Sequence, residues 1–155
     1  MPQKAVVKLI LLVVLYLKKY EENKMAEKEI FLTEKAPKPV GPYSQAVIHN
    51  GLMYVSGQIP LNPDSGELVR GTIEDETEAV MNNLRMIVED AGAAMEDVLR
   101  VTCYLSDMED FPRFNTVYAE YFSKNPPARS TIQAAKLPLD VQVEVDAIVA
   151  LPDNV

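Results

Sequence analysis

The chain has 155 residues, of which 48% are hydrophobic and 25% are charged, a composition typical of one globular domain with a full core. The single cysteine excludes an internal disulfide framework. One histidine and one cysteine are too few for a metal site built from these ligands, so the composition leaves open only a metal site made of carboxylates. The net charge of −8 is uneven: residues 25–155 hold 10 of the 15 basic and 21 of the 23 acidic residues, and this part, at −11, should repel a nucleic-acid backbone.

Residues 1–24 differ in composition from the rest of the chain. They contain five lysines and an apolar run over residues 5–17 that is interrupted by Lys8. The run is shorter than the roughly 20 residues that a membrane-spanning helix needs, and no small-residue cleavage site follows it. We therefore expect an atypical extension, either disordered or the product of a misassigned start, followed by the main domain over residues 25–155. We expect a cytoplasmic protein without membrane association.

The first predicted elements of the main domain are a short strand and a hairpin. Residues 29–33 form the strand, and the three prolines that follow predict an ordered, non-helical loop. Residues 45–49 and 52–56 flank Asn50-Gly51, a strong hairpin signal because a type I′ turn needs positive φ at two residues. His49 adjoins this turn, and we interpret it as a solvated turn residue and not as a catalytic base.

Two amphipathic helices are predicted, with a strand over residues 97–105 between them. Thr72 and Asp75 resemble a capping box that begins the first helix, which ends near Ala91. We interpret Cys103 in the intervening strand as a small buried residue. Acidic residues before the second helix are interpreted as caps and not as a metal site. The second helix carries an aromatic row, interpreted as core and not as a base-stacking platform. The row consists of Phe111, Phe114, Tyr118, Tyr121 and Phe122.

The last two predicted strands hold the most informative polar residues. A strand begins after the prolines at 126 and 127, with Arg129 at its start, where a guanidinium presents donors suited to a carboxylate. Residues 141–151 alternate almost perfectly, with Glu144 and Asp146 on the face opposite the regular apolar residues. Since two helices can cover only one face of the sheet, we expect Arg129 and Glu144 on the uncovered face. There they would form a structural ion pair, or Glu144 would act as an acid/base group. A half-apolar uncovered face also predicts oligomerisation.

Several separated motifs occur together in the order found in one protein family. The motifs are Gly41-Pro42-Tyr43-Ser44-Gln45, Ser56-Gly57-Gln58-Ile59-Pro60, Asn115 in Phe-Asn-Thr-Val-Tyr, Pro127-Ala128-Arg129-Ser130, and Leu137-Pro138 with residues 143–148. On these motifs, residues 29–151 closely resemble the RidA/YjgF family, the reactive intermediate deaminases. The resemblance implies an α+β fold like that of bacillary chorismate mutase, with a mixed, mostly antiparallel sheet and two helices packed on one face. It also implies a homotrimer with its sites between subunits.

The resemblance further implies an enzyme activity and the residues that perform it. The activity is that of a 2-iminobutanoate/2-iminopropanoate deaminase, which hydrolyses enamines and imines such as 2-aminoacrylate and 2-iminobutyrate to 2-oxo acids and ammonia, without a metal or organic cofactor. Arg129 would bind the substrate carboxylate, helped by the backbone N–H of Thr131, and Glu144 would activate the attacking water. The other residues implied to line the substrate pocket are Tyr43, Ser56, Gly57 and Asn115.

Two positions depart from the family pattern, and two other functions stay open. Thr131 stands where many members have Cys, which leaves the substrate preference open, and Asp146 stands where many have Glu. Some members of the family have been described as endoribonucleases or translation inhibitors, and a trimer that binds small molecules without turnover is the other alternative. The charge of −11 disfavours a nucleic-acid partner, whereas the intact pair of Arg129 and Glu144 favours catalysis.

Overall fold

The protein is described by a computed structural model that covers residues 3–22 and 27–152. Three α-helices occur in this part of the chain, and we number them α1 (Gln3–Glu22), α2 (Ile73–Asp90) and α3 (Phe111–Tyr121). The strands are β1 (Glu29–Phe31), β2 (Ala46–His49), β3 (Leu52–Gln58), β4 (Val98–Leu105), β5 (Ala128–Gln133) and β6 (Val143–Ala150).

All six strands join one sheet in the order β1-β2-β3-β6-β4-β5. Every neighbouring pair is antiparallel except β4 and β5, which are parallel and are connected through α3. A parallel pair needs such a crossover, because a short hairpin can join only antiparallel strands. The predicted mixed, mostly antiparallel sheet is therefore confirmed, and β5 forms one of its edges.

The local signals for the hairpin and for the helix that follows it, α2, are also confirmed. Asn50 and Gly51 have φ values of 52° and 73°, as a type I′ turn requires, and they join β2 to β3. At the start of α2, the backbone N–H of Asp75 donates to the Thr72 hydroxyl at 3.3 Å, and the backbone N–H of Thr72 donates to Asp75 Oδ2 at 2.7 Å. This reciprocal capping box satisfies two donors that a helix end leaves without intrahelical partners.

The hydrophobic core lies between α2, α3 and one face of the sheet. Buried and half-buried residues alternate strictly along β6, which is the pattern of a strand covered on one face only. The core takes in the aromatic row of α3, in which Phe114, Tyr118 and Phe122 are buried, so its interpretation as core is confirmed. Cys103 is likewise buried, and this burial raises the pKa of its thiol to about 12. Two helices on one face of a mixed sheet confirm the predicted fold class.

Helix α1 exposes all of its described side chains, those from Val7 to Tyr16. Within residues 3–22 and 27–152, no helix combines the length and the apolar character that a membrane crossing requires. The structure gives a helix over Gln3–Glu22, and the expectation that residues 1–24 are disordered or come from a misassigned start stays a prediction. The origin of this segment as an extension outside the main domain also stays a prediction.

Candidate active site

Arg129 lies on the face of the sheet that the helices cover. Its Cα pairs with that of Val101 on β4, which pairs in turn with Ala147 on β6, and both of these partners are buried in the core. Residues directly opposite one another in neighbouring strands share a face of the sheet. The prediction that Arg129 and Glu144 both lie on the uncovered face is therefore wrong for Arg129, because the parallel register of β5 against β4 turns it towards α3.

The Arg129 guanidinium is held by side chains of α3. Its Nη1 donates to Asn115 Oδ1 at 2.8 Å, and its Cζ lies 4.4 Å from the ring centroid of Tyr118. Among the described residues, no carboxylate comes within ion-pair distance of Arg129. A half-buried guanidinium with five donors thus keeps most of its hydrogen-bonding capacity for a ligand.

Thr131 follows Arg129 on the same face of β5 and lies opposite Cys103. Its hydroxyl oxygen is buried and finds no hydrogen-bond partner within the described part of the chain. The backbone N–H of Ala134 donates to Leu105 on β4, and backbone N–H groups alternate in direction along a strand. The N–H of Thr131 therefore points away from β4, on the open edge of the sheet, where it is available to a ligand.

Glu144 lies on the opposite, uncovered face, where its Cα pairs with that of Tyr104. The side chain of Glu144 is half-buried. This burial is the main cause that raises the pKa of its carboxyl, and the negative charge of the nearby Asp146 is the second cause. Asp146 is held in place by the Tyr104 hydroxyl, which donates to Asp146 Oδ2 at 3.0 Å. Glu144 is thus a carboxyl group with a raised pKa on a rigid strand, a setting suited to proton transfer.

Ser56 and Gly57 form a bulge in β3 beside Glu144. The pairing between β3 and β6 shifts by one residue there, since these two residues lie opposite Asp146 alone. A Cβ atom on Gly57 would collide with Glu144 Oε1 and lie 2.9 Å from its Cδ, so only glycine leaves room for this carboxylate. The Ser56 hydroxyl donates to the Ser44 carbonyl at 2.6 Å, which ties the bulge to the loop that carries Tyr43.

Tyr43 is half-exposed on the proline-rich loop and lines a small surface depression together with Gly57. The loop is anchored by Gln45, a buried residue whose Oε1 accepts from Thr33 N at 2.8 Å and whose Nε2 donates to the Pro37 carbonyl at 3.0 Å. The sequence analysis did not assign this anchoring role to Gln45. The signals in the sequence were the place of Gln45 in the motif over residues 41–45 and its amide at the end of a loop with three prolines.

The predicted site residues fall into two groups within one chain. The arginine group consists of Arg129, Asn115 and Thr131, and the glutamate group consists of Glu144, Tyr43, Ser56 and Gly57. The arginine group is built from β5 and α3, and the glutamate group is built from β3, β6 and the loop that carries Tyr43. The two groups lie on opposite faces of the sheet, and β4 runs between the strands that carry Arg129 and Glu144. A single chain therefore does not bring its arginine and its glutamate to one pocket.

Comparison with known proteins agrees with the fold. The sequence profile of the family described as Endoribonuclease L-PSP matches residues 33–151. A RutC family protein of Pyrococcus abyssi is 49% identical over 121 residues, which are 78% of this chain and 95% of that protein. A 2-iminobutanoate/2-iminopropanoate deaminase of Dermatophagoides farinae is 42% identical over 127 residues, or 82% of this chain and 99% of that protein.

A solved structure extends this likeness to three dimensions. The crystal structure of RidA from the Antarctic bacterium Psychrobacter sp. PAMC 21119 superposes with a TM-score of 0.76 at 36% identity, covering 79% of this chain and 99% of that one. The region matched by the family profile, residues 33–151, holds every residue of the arginine and glutamate groups and leaves out helix α1. The chain therefore belongs to the RidA/YjgF family.

Proposed function

We propose that the protein hydrolyses 2-imino acids and their enamine tautomers, of the 2-iminobutyrate and 2-aminoacrylate type, to 2-oxo acids and ammonia. The observation that carries this proposal is the Arg129 guanidinium, which is fixed by Asn115 and has no carboxylate partner among the described residues. A guanidinium fork of this kind matches the carboxylate of a 2-imino acid in a bidentate manner. The outward N–H of Thr131 adds a third donor beside it.

In the proposed reaction, the glutamate group supplies the proton transfers. Ionised Glu144 takes a proton from water while the water oxygen attacks the carbon of the protonated imine, which gives a tetrahedral carbinolamine. The protonated Glu144 then passes this proton to the nitrogen, the C–N bond breaks to release ammonia, and Glu144 accepts the hydroxyl proton as the carbonyl of the 2-oxo acid forms. An enamine enters the same route after protonation at its terminal carbon. Tyr43 and the bulge at Ser56 and Gly57 shape the wall of the pocket around this carboxyl group.

The complete site requires two copies of the chain. The arginine group lies at the β5 edge and the glutamate group lies on the uncovered face, so the arginine group of one subunit would meet the glutamate group of the next. The uncovered face supports this arrangement because Tyr54 and Ile132 expose 44% and 51% of their surface there. The trimer, the small-molecule substrate and the cytoplasmic location remain predictions of this proposal.

The direct test is the release of ammonia and 2-oxobutyrate when the full-length protein is added to 2-iminobutyrate generated in situ by a threonine dehydratase. We expect the protein to accelerate both releases in equal amounts. A second arm offers single-stranded RNA to the same preparation, and we expect no cleavage because residues 25–155 carry a net charge of −11. RNA cleavage without imine hydrolysis would overturn the proposal, and binding of 2-oxobutyrate without any turnover would replace it with the binding role.

A subunit-mixing experiment tests whether the two groups join across subunits. Arg129→Ala and Glu144→Gln are each expected to be inactive alone, whereas co-expressed chains should recover about a quarter of the wild-type activity, since one site in each mixed trimer is intact. The matched control pairs Arg129→Ala with Asn115→Ala, two changes in the same group, and its activity should not exceed the average of the two variants measured alone. If neither mixture recovers activity, the two groups do not share a site between neighbouring subunits.

The pH dependence of kcat/KM provides a test of Glu144 as the base. At low pH, kcat/KM should fall because Glu144 becomes protonated and can no longer act as a base. Since the pKa of Glu144 is raised, this acid limb of the pH profile should lie above the ordinary glutamate pKa of 4.5. Asp146→Asn removes the neighbouring negative charge, so the limb should move to lower pH while the plateau rate is retained. It should stay above 4.5, because burial is the larger cause of the shift. A limb that does not move in this variant would assign it to another group.

A further inference from the structure

The aromatic row of α3 performs a second task besides filling the core. Three of its rings face the Arg129 guanidinium, whose Cζ lies 4.4 Å from the ring centroid of Tyr118, 5.5 Å from that of Phe111 and 5.9 Å from that of Phe114. These distances lie within the range of about 6 Å in which a cation is attracted to the face of an aromatic ring. The helical spacing of the three residues, i, i+3 and i+7, brings all three rings to one side of α3.

We propose that Tyr118 is the positioning residue for Arg129, and that its ring face fixes the plane of the guanidinium. This inference rests on the proposed function, in which Arg129 binds the substrate carboxylate. Asn115 holds Nη1 at 2.8 Å, and the Tyr118 ring is the nearest of the three. One contact fixes a guanidinium nitrogen and the other restricts the face of the group. Together they leave the remaining donors directed away from α3.

The ring of Tyr118, and not its hydroxyl, carries this role. The phenol oxygen is buried near the Arg129 guanidinium, but it makes no hydrogen bond of regular geometry within the described part of the chain, and burial raises the pKa of this phenol. The hydroxyl of Tyr121, on the same helix, instead donates to the Glu78 carbonyl at 3.3 Å. An unpaired buried hydroxyl weakens the folded state, so its removal should leave stability unchanged or increase it.

The positioning role also follows from the lack of an ion pair between Arg129 and any described residue. Most buried or half-buried arginines are held by a carboxylate, but the described residues place none next to this one. A long side chain without an ion pair loses little rotamer freedom unless packing restricts it. The aromatic rings therefore order the guanidinium without neutralising it, so that its full charge remains available for a substrate carboxylate.

The first test measures the Kd for 2-oxobutyrate by calorimetry on the full-length protein. Tyr118→Leu should weaken binding roughly tenfold, because the cation–π contact is lost. Tyr118→Phe keeps the aromatic ring and should bind with wild-type affinity. The matched control is Phe122→Leu: Phe122 is as deeply buried as Tyr118 and contacts its ring at 4.9 Å between centroids, but it does not face Arg129. Phe122→Leu should lower thermal stability as Tyr118→Leu does while leaving the affinity unchanged.

The second test does not depend on the proposed function. It follows the Arg129 Nε–H signal by NMR relaxation, with the signal identified by its absence in Arg129→Ala. The order parameter should stay at its wild-type value in Tyr118→Phe and Phe122→Leu and should fall clearly in Tyr118→Leu. Should Tyr118→Leu fail to fold, Phe111→Leu removes the ring at 5.5 Å and should cause a smaller loss of order.

The two readouts separate the possible failures. A guanidinium that stays ordered in Tyr118→Leu, or that becomes equally mobile in Phe122→Leu, overturns the positioning role. A wild-type protein that neither binds 2-oxobutyrate nor hydrolyses 2-iminobutyrate overturns the proposed function instead. In that case the NMR measurement alone decides whether Tyr118 orders Arg129.

Discussion

Replacing Arg129 with alanine is expected to lower kcat/KM for 2-iminobutyrate by about 10³-fold or more. The substitution removes a bidentate pair of charge-assisted hydrogen bonds to the substrate carboxylate, each of which contributes about 1.5–3 kcal/mol. The loss should appear both in KM and in kcat, because the same contact orients the imine carbon towards the attacking water. Initial rates of ammonia release over a range of substrate concentrations measure both constants.

The fold and the assembly should survive this change. Arg129 forms no ion pair with a described residue, so its removal leaves no charged partner buried without compensation. Arg85→Ala is the matched control, since this arginine makes an exposed i,i+4 pair with Glu89 on α2, and it should leave kcat/KM unchanged. An Arg129→Ala variant that keeps its molecular mass in solution and also keeps its activity would overturn the assignment of the carboxylate site.

Glu144→Gln should lower kcat by about 10²- to 10⁴-fold, the range that general acid–base catalysis contributes. Glutamine has nearly the shape of glutamate and fits beside Gly57, but it cannot take a proton from water. KM should change little because the substrate carboxylate is held by the arginine group and not by Glu144. Single-turnover measurements on preformed 2-iminobutyrate separate the chemical step from binding.

The neighbouring carboxylate offers a sensitive comparison for this prediction. Asp146→Asn removes an acidic group from the same face of the same strand, two residues away, and it should leave kcat on the pH plateau intact. If both variants lost turnover to the same extent, the effect would reflect the electrostatics of the strand and not proton transfer by Glu144. If neither lost turnover, Glu144 would have no part in the mechanism.

Local signals in the sequence predicted most of the fold because the interactions behind them are local. The turn at Asn50-Gly51 depends on two backbone angles, and the capping box of Thr72 and Asp75 joins residues three positions apart. The alternation in the last strand predicted its covered face because the period of a strand is fixed by its geometry. These features need no knowledge of what the strands pair with.

The face on which Arg129 lies could not be predicted in this way. It depends on the register between β5 and β4, which are parallel and are joined only through α3, so no turn fixes the register within the sequence. The contact of Tyr118 with Arg129 could not be predicted for the same reason. The aromatic row was correctly interpreted as core, but its contact with Arg129 appears only once β5 has been placed beside β4.

The separation of the arginine and glutamate groups also bears on how the activity is controlled. Since the two groups use different surfaces, the proposed contact between subunits is heterologous, and it leaves no surface unpaired only when it closes into a ring. A closed ring has as many sites as subunits, whereas a lone subunit has two half-sites and no complete one. If the proposed ring and activity hold, dilution that separates the subunits would stop the reaction, and the specific activity would depend on the protein concentration.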